Sequence, residues 1–166
     1  MSNQAFIDGQ NLFMNTLANN WAVDLKRFRV YLRERYDVAD AYYFLGVVNE
    51  NNQKIYELIQ KAGFILVFRE HTQNMVGKKK GNVDTDVVFT IMSKIADNED
   101  FDKVILVSGD GDYFKMVKYL VDKGRFAKLL APNRHSTSSP YRIFTPKYVD
   151  FLDSPGVKNK IELKKT

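Results

Sequence analysis

The chain has 166 residues, 45% hydrophobic and 27% charged, an ordinary balance for one globular domain with a single core. Its 25 Lys and Arg against 20 Asp and Glu leave a formal charge of +5, a mild excess that favours an anionic partner without identifying it. The absence of cysteine excludes disulfides, thiolate metal sites and a cysteine nucleophile; with no apolar run of membrane-spanning length and no signal-peptide pattern in Met1-Ser2-Asn3-Gln4, the expectation is a soluble, cytoplasmic protein that avoids membranes.

Short apolar runs alternate with stretches of helical period, the pattern of repeated β-α units and a mainly parallel sheet. The first strand ends in Ala5-Phe6-Ile7. Asp24 to Tyr36 predicts an amphipathic helix through Leu25, Phe28 and Leu32, and Ala41 to Val47 a second strand. Asn52 to Ala62 predicts a helix carried by Ile55, Leu58 and Ile59 and stopped by Gly63, before a third strand at Phe64 to Phe68. Val87 to Ile95 is helical in period, and Lys103 to Val107 has the continuous apolar look of a buried central strand. A helix from about Tyr113 to Asp122 ends at Gly124, Phe126 to Leu130 makes a fifth strand, and Pro132 to Pro140 is loop. Tyr148 to Leu152 is a short last element, and residues 154–166, with Lys158, Lys160, Lys164 and Lys165, form an expected flexible basic tail beyond a domain at 1–153.

Four carboxylates fall at strand-to-helix turns: Asp8 in Phe6-Ile7-Asp8-Gly9-Gln10-Asn11, Asp84 in Gly81-Asn82-Val83-Asp84, and Asp110 and Asp112 in Val107-Ser108-Gly109-Asp110-Gly111-Asp112-Tyr113. Any one of them has a bland explanation, since Asp is a preferred N-cap and acids in a first turn complement the helix dipole by about 0.3 to 1 kcal/mol. Capping needs one acid per helix, and the Asp110-Gly111-Asp112 turn carries two. The carboxyl ends of strands in an open parallel sheet border one crevice, so acids at several ends converge there. Their repulsion then calls for a cation, and an oxygen donor set without Cys or suitably spaced His matches Mg²⁺ or Mn²⁺ rather than zinc.

Hard ions on clustered carboxylates commonly serve phosphoryl chemistry. Lys78, Lys79 and Lys80 run into the Asp84 turn, and Arg134 and Arg142 flank the loop after the fifth strand, where cations can hold a phosphate backbone; the plain alternative is a solvated charge run. His71 and His135 are loop histidines, and Tyr42, Tyr43, Phe44 and Phe68 are core residues of strands. Tyr113 and Tyr141 flank the acids, where base stacking is an open role for both, with Tyr113 expected to pack in its helix. Gly109 and Gly111 do not complete a dinucleotide fingerprint and are interleaved with acids where a pyrophosphate would sit.

The segments around Asp8, Lys80-Gly81-Asn82-Val83-Asp84 and Ser108-Gly109-Asp110-Gly111-Asp112 together resemble the three signatures of NYN domains, the PIN-like nucleases, and their LabA-like bacterial branch, from about Gln4 to Asp153. The resemblance implies an α/β, PIN-like three-layer sandwich with a central, mainly parallel sheet of about five strands. It implies metal-dependent hydrolysis of RNA, with single-stranded DNA an open second substrate, by a monomer or homodimer. Asp8, Asp84, Asp110 and Asp112 match the family's catalytic and metal-binding acids, Asn11 the asparagine of the first signature and Ser108 the small polar residue before Gly-Asp. Thr90 stands where many relatives carry a further Asp, which weakens a second metal position; Asp86 is a partial substitute pointing roughly away from Asp84. Two rival readings stay open: a non-catalytic module that binds RNA or protein, and another Mg²⁺-dependent phosphoesterase.

Overall fold

The computed structural model describes residues 1–46, 48–69 and 83–164. Six strands, β1 (Asn3–Asp8), β2 (Val38–Leu45), β3 (Ile65–Phe68), β4 (Val104–Val107), β5 (Phe126–Ala131) and β6 (Val149–Phe151), form one sheet in the order β3-β2-β1-β4-β5-β6. Every named pair is parallel. The helices are α1 (Gly9–Leu17), α2 (Leu25–Tyr36), α3 (Gln53–Lys61), α4 (Asp84–Ala96), α5 (Phe114–Asp122) and α6 (Pro155–Ile161).

Alternation along β1 sorts the layers, because successive side chains of a strand point to opposite faces. Ala5 and Ile7 pack with Leu12 of α1, Phe28 and Leu32 of α2, Ile59 of α3 and Ile161 of α6. Phe6 packs on the other face with Val87 and Ile91 of α4 and with Val117 and Leu120 of α5. Burying Phe6, Phe28, Phe44, Leu32 and Leu106 completely contributes about 2 kcal/mol per side chain. This is a three-layer α/β sandwich, with six strands where the sequence suggested about five; β6 is too short to carry a periodic signal of its own.

Three details depart from expectation. β2 begins at Val38, earlier than Ala41, since Asp37 adopts a left-handed conformation (φ 55°) that ends α2 and turns the chain directly into the strand. In α3 the buried face is Tyr56 and Ile59, while Ile55 and Leu58 are exposed. The segment expected as a flexible tail instead folds into α6: Ile161 is fully buried, its carbonyl accepts from Asp24 N at 2.7 Å, and Leu163 N donates to Ala22 O at 2.8 Å. Lysine-rich composition concealed the anchoring residue, Ile161, which fastens a short helix to the α2 side. No described helix is long and apolar enough to cross a membrane.

Candidate active site

In this strand order the chain winds outward from β1 through β2 to β3, then crosses back to start β4 on the other side of β1. The carboxyl ends of β1 and β4 therefore flank a topological switch point, where an open α/β sheet leaves a crevice. Asp8 ends β1, Asp110 follows β4, and α4, which follows β3 in the chain, packs against β1 and brings Asp84 from a third direction. Asp8, Asp84 and Asp110, with Gln10, Asn11, Met14, Asn15 and Val83, line one polar cleft of about 190 Å³.

Capping occupies part of these acids without exhausting them. Asp8 Oδ1 accepts from Asn11 N at 3.1 Å as the α1 cap, Asp110 Oδ1 accepts from Asp112 N at 2.9 Å, and Asp84 Oδ1 accepts from Thr85 N at 3.0 Å. Asp8 Oδ2 accepts from the Tyr113 hydroxyl at 2.8 Å. Asp8 is only 6% exposed, and its carboxyl titrates above the usual value: burial is the main cause, and the Asp110 and Asp84 charges add to it against the Asn11 and Tyr113 hydrogen bonds. The same charge, after burial, helps push the Tyr43 phenol up to about 12. Burial and then Asp8 hold the Tyr113 phenol protonated, so it remains a donor.

Asn11 ties the two turns together, its Oδ1 accepting from Gly109 N at 3.0 Å. Asn15 supports it, donating from Nδ2 to Asn11 O at 2.8 Å while its Oδ1 accepts from Ser136 Oγ at 2.7 Å. Ser108 is fully buried and its Oγ accepts from Asp110 N at 3.1 Å, which orients the second turn from beneath. Tyr141 closes the far side by donating from its hydroxyl to Asp110 O.

Other expected residues lie elsewhere. Asp112 is exposed and outside the cleft, contributing its amide to Asp110 instead of its carboxylate to the cleft. Asp86 is half-buried in the first turn of α4 and also outside the cleft lining, as its position two residues after Asp84 implies. Thr90 lies further along α4. Arg134 stacks over the Phe151 ring at 4.0 Å and borders a separate groove with Tyr36 and Asp150. Arg142 is exposed beside Tyr141. Lys78, Lys79 and Lys80 lie outside the described residues. Gln10, Asn15 and the Tyr113 hydroxyl were not foreseen as site groups; the helical spacing of Asn11 and Asn15 was the available signal for one of them.

Tyr113→Phe removes the donor to a buried carboxylate oxygen. It should cost about 1–3 kcal/mol at pH 7 and less at acid pH, where Asp8 is protonated; urea unfolding at the two pH values measures it.

The donor set, three carboxylates with neighbouring side-chain amides, fits a hard divalent ion in kind. Among the described residues, no group of three or more His, Cys, Asp or Glu is drawn tightly enough together to hold an ion as it stands.

A doubly wound parallel sheet with buried and half-buried acids at its switch point defines a class of open α/β domain whose crevice is lined by carboxylates. The NYN domain family model matches residues 4–152, and the chain belongs to that family. NYN domains are PIN-like and typically ribonucleases, so membership points to RNA-related nuclease function and to nucleic-acid substrates. The Low amplitude and bright protein LabA of Synechococcus elongatus is 24% identical over 95% of this chain and 87% of its own length. A crystal structure of a protein of unknown function from Vibrio parahaemolyticus superposes with a TM-score of 0.74 at 20% identity, covering 98% of this chain and 96% of the other, which bears on the fold.

Proposed function

We propose that the chain is a metal-dependent ribonuclease that hydrolyses RNA phosphodiester bonds at Asp8, Asp84 and Asp110. The observation that carries this reading is the convergence of these acids, from three separate turns, on one cleft at the sheet's switch point, with Asp8 buried against the others' charge. Asp8, Asp84 and Asp110 would hold Mg²⁺ or Mn²⁺, which supplies Lewis-acid polarisation of the phosphate and offsets charge developing in the transition state. Tyr113 and the Asn11 amide fix the Asp8 carboxylate, and Ser108 and Tyr141 fix the Asp110 turn, so the acids are held before substrate arrives. The exposed Gln10 lining the cleft can donate to a phosphate oxygen, and the exposed Arg142 is offered as a cation for the RNA backbone. Asp112 stays outside the ion-holding set.

The test is cleavage of a labelled single-stranded RNA, beside DNA of the same sequence, with Mn²⁺, Mg²⁺ or EDTA. Asp110→Asn keeps a good capping residue and so the fold, yet it should reduce metal-dependent cleavage by about a hundredfold or more. Equal cleavage by the variant would remove Asp110 from the chemistry. The loose spacing of the acids favours a second reading, a non-catalytic RNA-binding module, which binding without cleavage in every metal would establish.

A further inference from the structure

The β6 edge of the sheet carries a second polar groove, of about 350 Å³, lined from the end of α2, from β6 and from the start of α6. Two arginines line it, Arg35 in the last turn of α2 and Arg134 in the loop after β5. Each lies over an aromatic ring: the Arg134 guanidinium carbon is 4.0 Å from the centre of the Phe151 ring, and that of Arg35 is 5.5 Å from the centre of the Tyr36 ring. Stacking holds a guanidinium by its face and leaves its N–H edge free to donate, the arrangement in which arginine takes a phosphate through two parallel bonds. Both side chains are exposed, and neither makes an ion pair among the described residues.

The acid of the groove does not satisfy them. Asp150, the one carboxylate among the described lining residues, accepts at Oδ2 from the Tyr36 hydroxyl at 2.5 Å and at Oδ1 from Lys128 Nζ at 3.3 Å. Burial, and then this bond, raise the Tyr36 pKa, so the phenol stays a donor to Asp150. Asp153 accepts at Oδ2 from the backbone N–H of Arg134 at 3.1 Å, which fixes the root of that side chain. With Lys128 offsetting Asp150, the two arginines outweigh Asp153 and leave the groove cationic. Its place on the fold says which anion it meets. Arg134 is two residues from Ser136, whose Oγ donates at 2.7 Å to Asn15 Oδ1 in the lining of the acid cleft, and Ser138 N donates to Gly109 O at 3.0 Å. Two residues of chain span at most about 7 Å. His135 and Ser136 between them are exposed, so an extended polyanion lying over the acids next reaches Arg134 and then, along the groove, Arg35.

We propose that the groove of Arg134 and Arg35 holds the phosphate backbone of the RNA strand beside the cleft, as a track for the nucleotides adjoining the bond to be cut. That the polyanion is RNA rests on the ribonuclease reading above. Backbone contacts position a strand without reading its sequence, so the track favours a long strand over a short one and gives no preference among bases.

The test is binding of a labelled single-stranded RNA about a dozen nucleotides long, titrated in EDTA over a range of salt concentrations. Without a divalent ion the acids add no attraction, and the affinity reports on the cations. Arg134→Ala and Arg35→Ala should each weaken binding about fivefold near 0.1 M salt and lower the slope of log K against log salt by about 0.7, the share of one phosphate contact to a single strand. Arg33→Ala, in the same turn of α2 but outside the groove, should change neither. All three side chains are exposed, so the variants should fold. Arg134→Lys should keep the slope because it keeps the charge, an outcome that a purely structural role for the stack on Phe151 would not give. Slopes that fall equally in all three alanine variants or in none overturn the proposal, as does a wild type that binds no RNA. So does weaker binding of polyglutamate by the Arg134 and Arg35 variants with their RNA slopes intact, which assigns the groove to an acidic protein. Cleavage with Mn²⁺ is read separately: lowered slopes without cleavage in any metal uphold the track and end the ribonuclease reading, and cleavage with unaltered slopes does the reverse.

Discussion

Asp8→Asn should lower RNA cleavage by about a thousandfold and, in metal-free buffer at pH 7, make the protein more resistant to urea. The first effect follows, on the proposed function, from losing a charged oxygen that would hold the divalent ion, whose contribution would be several kcal/mol at about 1.4 kcal/mol per factor of ten. The second follows from the carboxyl itself, which titrates above its ordinary 3.8 chiefly because it is buried. A folded-state pKa raised above the unfolded value means that the stability linked to the bound proton is complete below 3.8 and is lost as the pH rises through the folded value. At pH 7, well above the ordinary carboxyl value, the wild type therefore carries a penalty for burying this group that asparagine does not. The new side chain can still accept from Asn11 N, and its amide can donate to the Tyr113 hydroxyl oxygen. The stability advantage should vanish at acid pH, where Asp8 is neutral. A variant no more stable than wild type at pH 7 would sink the claim that this carboxylate is held at a cost for function.

Gly9→Ala should lower the thermal midpoint by about 6–12 °C, the consequence of about 3 kcal/mol of overpacking in a chain of this size. A Cβ on Gly9 would stand 2.5 Å from Tyr43 Cε1 and 2.7 Å from the Phe44 carbonyl oxygen. The second contact is backbone of β2, paired to β1 at Asp8 and Phe44, so it cannot yield without shifting the strand. Gly9 is thus required by close approach: α1 leaves β1 directly over its neighbour strand, which is how the first turn of α1 comes to face the cleft. Differential scanning calorimetry measures the shift. A midpoint within about 2 °C of wild type would mean that β2 moves freely there.

The residues of the site divide by how far their roles extend along the chain. Asp8, Asp84 and Asp110 were legible in the sequence because strand-to-helix turns of a parallel sheet share one edge, and because one acid per cap does not account for Asp110 and Asp112 together. The short apolar runs at Ala5 to Ile7 and up to Val107, set between stretches of helical period, likewise foretold a buried parallel sheet, since such runs are local signals. Which acids face inward was not local. Asp84 joins Asp8 because α4 packs against β1, and Arg134 turns away because it stacks on Phe151 of β6. The Tyr113 hydroxyl meets Asp8 across 105 positions, and Asn11 meets Gly109 across 98.

Sequence by itself therefore determined the class of fold and the acids that stand at its strand-to-helix turns, because turn residues and strand patterns act within a few positions. Only the tertiary structure decided the membership of the cleft, the anchoring of α6 and the meeting of Tyr113 with Asp8, because each depends on where β1, β4 and the helices around them meet in space, which pairing distant segments alone can set.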